Sequence, residues 1–117
     1  GGAEAKRLLK TITDAESKAI DMEKNGKLPA GSGEVHKKNA RNIGELGIGL
    51  NPAAKITGNM LEDEKAFNTC HFAIGENYDN DAPSLIHLDG VVRNPTITLI
   101  YADGTEKVIL NEGNLQL

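Results

Sequence analysis

Asn42-Ile43-Gly44-Glu45-Leu46-Gly47-Ile48-Gly49-Leu50 is the stretch where the chain changes character. Before it, apolar residues recur at helical spacing; from it onward they alternate or cluster in short segments between turn residues, as strands do. Working back from Asn42, residues 26–41 mix Gly, Pro, Ser and charged side chains without an apolar period. They read as an exposed connection with room for a short strand or helical turn. Residues 1–25 read as one amphipathic helix, with Leu8, Ile12, Ala15, Ala19 and Met22 on a single stripe. Thr13-Asp14-Ala15-Glu16 has capping-box form and allows a restart after a kink near Thr11, and Asn25-Gly26 offers a left-handed stop. Working forward, strands are expected at about 42–48, 69–75, 84–92, 96–102 and 105–110. A short helix near 60–67 opens at Gly58-Asn59, and Asp103-Gly104 signals a two-residue hairpin. The fold class expected is α+β: an N-terminal amphipathic helix followed by a mainly antiparallel or mixed β-sheet with a short helix.

Composition narrows the chemistry. The 117 residues carry 17 Asp and Glu against 13 Lys and Arg, a formal charge of −4, and the basic residues are scattered apart from Lys37, Lys38 and Arg41. That is not the footprint of a nucleic-acid binder. Apolar runs such as Val108 to Leu110 fall far short of the ~20 residues a spanning helix needs, so no membrane partner is expected and the chain reads as soluble and cytoplasmic. The lone Cys70 can form neither an internal disulfide nor a thiolate zinc site. Any metal must therefore be held by carboxylates and imidazoles. The opening Gly1-Gly2, running straight into a helical pattern, suggests a piece of a larger protein.

Writing out the faces of three strands isolates candidate ligands, because residues two apart share a face. Leu46, Ile48 and Leu50 fall on one side of the first strand, and Glu45 lies opposite with Ile43, Gly47 and Gly49. Cys70, Phe72 and Ile74 form an apolar side of the second, leaving His71 with Thr69, Ala73 and Gly75. In the third, His87 and Asp89 lie together behind Ile86 and Leu88, about 6.5 Å apart along extended backbone. An imidazole and a carboxylate at that spacing can converge on one ion or an adjacent pair. Gly44, Gly47, Gly49, Gly75 and Gly90 are expected to leave this face open to a substrate or a further strand. His36 lies in a charged stretch and reads as surface, Cys70 as a small buried hydrophobe, and the G-x-x-G-x-G order of residues 44–49 does not fit a dinucleotide cradle.

Four blocks then occur in order: Asn42 to Pro52, Leu61-Glu62-Asp63-Glu64-Lys65, Thr69-Cys70-His71-Phe72-Ala73-Ile74-Gly75, and Ile86-His87-Leu88-Asp89-Gly90. As an ordered set they resemble the C-terminal region of the leucyl aminopeptidase family of the aminopeptidase T type, the thermophilic metalloprotease group. The resemblance covers about residues 42–117, and residues 1–25 resemble the segment before the first block. It implies that 1–117 is a C-terminal metal-site domain of a larger two-domain enzyme, with its β-rich metal-binding portion at 42–117. It also implies a dinuclear exopeptidase holding two divalent ions (zinc, cobalt or manganese), with a peptide substrate; a homodimer is expected separately, through the helical stripe and sheet edges that a partial domain leaves exposed. Glu45, Glu64, His71, His87 and Asp89 match its metal ligands, and Tyr78 matches a tyrosine that assists the transition state. A further glutamate ligand of that family has no match here, so the chain alone is expected to be inactive. Two other readings stand beside this one. His71, His87 and Asp89 suit a mononuclear Fe(II) ring-opening dioxygenase of the same superfamily. The helix could also mark a non-catalytic assembly module.

Overall fold

The computed structural model describes residues 2–116; Gly1 of the opening glycine pair lies outside them. The chain divides into two compact units, Gly1–Glu45 with Ala73–Leu88, and Leu46–Phe72 with Asp89–Leu117. The architecture is α+β, with an N-terminal helix, short helices and two antiparallel three-stranded sheets. Among the described residues, no helix is long and apolar enough to cross a membrane.

In the first unit, α1 (Ala3–Lys24) is continuous through Thr11. The single helix expected over this segment is what forms, and the restart that the capping-box sequence would allow is not used: the Thr13 hydroxyl donates back to the carbonyls of Leu9 and Lys10 instead of capping a new turn. Ile12, Ala15 and Ala19 of the stripe are buried, while Leu8 at its outer end is exposed. Gly26 ends the helix at φ 72°, with Lys27 N–H donating to Met22 O and Gly26 N–H to Glu23 O, the paired bonds of a Schellman stop.

The expected connection 26–41 contains a second helix, α2 (Ser32–Asn39), packed on α1. Its N-terminus is capped from outside its own segment: the Glu23 carboxylate accepts from Gly31 N–H at 2.8 Å and Gly33 N–H at 2.5 Å. A side chain at Gly33 would meet Ala19 O at 3.1 Å, so glycine sets the closeness of the two helices. Arg41 grips Glu16 of α1 through Nε–Oε1 at 2.6 Å and Nη2–Oε2 at 3.2 Å, and these contacts hold its guanidinium charged. His36 is half-buried, its Nδ1 donating to Ser32 O, rather than lying free on the surface.

The first sheet has the order β1 (Ile43–Gly49), β2 (Thr69–Gly75), β3 (His87–Arg93). In the second unit, the short helix α3 (Met60–Asp63) begins where Asn59 Oδ1 accepts from Leu61 N–H. Asp63 is buried because its carboxylate accepts from the N–H groups of Thr57 and Gly58. The second sheet joins β4 (Ile97–Ile100), β5 (Glu106–Asn111) and a strand without a sequence signal, β6 (Asn114–Leu115). The β4–β5 turn is longer than the two residues expected. Tyr101 N–H pairs with Thr105 O, Gly104 N–H with Tyr101 O, and Gly104 takes φ 84°, the left-handed residue of a three-residue loop.

The expected inside and outside of the sheet are exchanged at Thr69, His71, Ala73 and Phe72 of β2 and at Leu46 of β1. On β2, Thr69, His71 and Ala73 are 3, 5 and 0 % exposed, whereas Phe72 is 36 % exposed, and Leu46 on β1 is 67 % exposed. The small and polar face that was to lie open is covered along β2, while the apolar face is uneven, buried at Cys70 and exposed at Phe72 and Leu46.

Candidate metal centre

β3 carries His87 and Asp89 two residues apart, hence on one face. Glu45 of β1 reaches the same ring, with Oε2 3.5 Å from His87 Nε2. Glu45, His87 and Asp89 are all half-buried, and each offers one ligand atom lying within 4.8 Å of the others. Glu45 and His87 belong to the first unit, and Asp89 follows His87 along one strand. One contact and one stretch of extended backbone therefore set the geometry of the group.

The orientation of His87 follows from elementary donor chemistry. Its Nδ1 lies 2.7 Å from the carbonyl oxygen of Glu76, and a carbonyl can only accept, so Nδ1 carries the hydrogen. The ring's other nitrogen, Nε2, is thereby directed at the Glu45 carboxylate, with which it forms an ion pair when the ring is protonated. A nitrogen and a carboxylate oxygen at this separation suit either a proton on Nε2 or a metal cation held by both. Tyr78, 82 % exposed, sets its ring edge-on to His87 with centroids 5.7 Å apart at 65°. Together with Glu76, Asn77, Asn80 and His87 it lines an open pocket of about 300 Å³.

The structure thus brings together Glu45, His87 and Asp89, with Tyr78 against the ring. The close group contains neither His71 nor Glu64. His71 is buried over Gly47, where an added Cβ would stand 2.1 Å from Cε1. Glu64 caps the C-terminus of α3, its carboxylate paired with the ammonium of Lys65. Cys70 is buried as expected, and desolvation pushes its thiol up. Gly44, Gly47, Gly49 and Gly75 do not hold space for a ligand, since an added Cβ would meet Glu76 O at 2.4 Å at Gly44, Ala66 O at 1.9 Å at Gly49 and Ile86 O at 2.0 Å at Gly75; at Gly90 the nearest atom is 3.8 Å away. The residue missed by sequence reasoning is Glu76, which acts through its backbone carbonyl. Every residue carries such a group, so no pattern could single it out.

No family model matches the chain, and no curated protein or solved structure matches it either.

Proposed function

We propose that Glu45, His87 and Asp89 form part of a divalent-metal centre serving a metal-dependent aminopeptidase that hydrolyses N-terminal peptide bonds. The observation that carries the reading is the convergence of His87 Nε2 and a Glu45 carboxylate oxygen at 3.5 Å, with a second carboxylate, Asp89, in the same group. One imidazole and two carboxylates are an N/O donor set that suits zinc, cobalt or manganese. Such an ion lowers the pKa of a bound water and polarises a carbonyl. Within this reading Glu45, His87 and Asp89 hold the cation. The Tyr78 hydroxyl, exposed at the pocket rim, hydrogen-bonds the substrate's oxyanion. The pocket bounded by Glu76, Asn77 and Asn80 receives the peptide end. The ordered blocks that carry His71 and Glu64 support a second ion. The mononuclear iron reading has less support, since it needs His71 in the group that holds His87 and Asp89.

Isothermal titration with Zn²⁺, Co²⁺ and Mn²⁺ tests the centre. Saturable uptake is expected, with His87→Ala and Asp89→Ala each weakening it by at least about 100-fold while circular dichroism stays unchanged. Absence of uptake of all three ions, or uptake indifferent to both substitutions, refutes the reading. Two ions per chain at saturation favour the hydrolase over the iron enzyme.

A further inference from the structure

A stretch of backbone beside His87 is confined from three directions. The Gly75–Glu76 peptide is held by Gly75 N–H donating to Asn42 O at 2.8 Å, Asn42 Nδ2 donating to Gly75 O at 3.3 Å, and Glu76 N–H donating to Ile86 O at 2.8 Å. The carbonyl that follows, Glu76 O, is the acceptor for His87 Nδ1. Gly44 lies directly against this turn. A Cβ at Gly44 would stand 2.4 Å from Glu76 O, 2.8 Å from Gly75 O and 2.9 Å from Glu76 C. All three are backbone atoms, so no rotamer change relieves the contact, and the carbonyl itself must move.

We propose that Gly44 is a positioning residue for the metal centre: its missing side chain lets the Glu76 carbonyl reach His87 Nδ1, which directs Nε2 at Glu45. The proposal deepens the metal-centre reading and rests on it for its functional meaning, although the ring orientation it specifies exists without metal. The hydrogen bond from a ligand histidine's far nitrogen fixes its tautomer and rotation, and loss of such a partner typically weakens metal binding 10–100-fold. Here the partner is a main-chain oxygen, which no side-chain substitution at Glu76 removes. Gly44 is thus a sequence position through which that bond can be disturbed.

Two measurements decide the proposal. The first is ¹⁵N NMR of the imidazoles in the metal-free protein, with the His87 signals assigned by difference against His87→Ala, since the chain has 3 histidines. The neutral His87 ring is expected as the Nδ1–H tautomer; an Nε2–H tautomer overturns the proposal. The second is Gly44→Ala, which should shift His87 towards mixed tautomers and weaken Zn²⁺ binding by about 10–100-fold. Wild-type tautomer and affinity in a folded Gly44→Ala protein also overturn it. A merely structural role for Gly44 would alter stability without redistributing the tautomers. Should Gly44→Ala fail to fold, Asn42→Ala removes the Nδ2 bond to Gly75 O while keeping the main-chain bond from Gly75 N–H, and should produce a tautomer shift in the same direction but smaller; a shift in the opposite direction counts against the proposal. If the wild-type chain takes up no metal yet shows the Nδ1–H tautomer that Gly44→Ala disturbs, the metal reading fails while the positioning geometry stands.

Discussion

The two faces of β1 and β2 differ in a way that hydropathy alone inverts. One face carries Thr69, His71 and Ala73, all nearly inaccessible; the other carries Leu46, Leu50 and Phe72, which are 67, 56 and 36 % exposed. The difference shows that burial here follows closeness of approach rather than greasiness. Gly47 lets the His71 ring lie on its α-carbon, and Gly49 lets the Ala66 carbonyl come where a side chain would stand. Glycine on one strand and small or planar residues on the other pack tightly without much apolar surface. The outer face has the larger side chains, and its Leu46 and Leu50 contribute little to a core whose buried hydrophobics are mostly alanines.

The comparison breaks most sharply at Gly49. Gly49→Ala sets a Cβ 1.9 Å from a backbone oxygen and 2.6 Å from Thr69 Oγ1, so the loss should reach or exceed the ~1–3 kcal/mol usual for overpacking. Urea unfolding measures it, and a loss below 1 kcal/mol would mean that this face is looser than described. Gly47→Ala ranks next, at about 1–3 kcal/mol, because the obstacle is a ring that can tilt rather than main chain. By contrast Leu46→Ser, which deletes a large apolar side chain, should change stability by no more than about 0.5 kcal/mol. A larger loss from Leu46→Ser than from Gly47→Ala would reverse the assignment of inner and outer faces.

Much of the backbone was legible in the sequence. The stop of α1 at Asn25-Gly26 and the position of β2 at 69–75 follow from local chemistry, and that chemistry acts as written. Strand alternation singled out Glu45 and the pair His87 and Asp89, and the structure brings these three together without His71. What alternation could not supply is which face becomes covered, because it sorts residues into sides without saying what approaches either side. α2 was illegible for a related reason: its cap comes from Glu23, eight and ten residues before the N–H groups it receives. The Glu76 carbonyl was hidden because main-chain acceptors are the same at every position.

Cys70 gives the finest test, since it lies on the outer face by alternation yet is only 7 % exposed. The outer face is therefore covered at Cys70 and open at Leu46. In a Leu46→Cys protein, a thiol reagent at neutral pH should label the new cysteine on the order of tenfold faster than Cys70, whose thiol is pushed up by desolvation and is less often the reactive thiolate. Equal rates would erase the distinction. The same shift has a sign in stability. A thiol harder to ionise in the folded state leaves the balance untouched below its ordinary pKa of about 8.5. Above that pH the unfolded chain ionises first and stability falls. Wild type should thus lose stability between pH 7 and 9.5 relative to Cys70→Ala, and parallel profiles for the two proteins would show that Cys70 is as solvated as an exposed thiol.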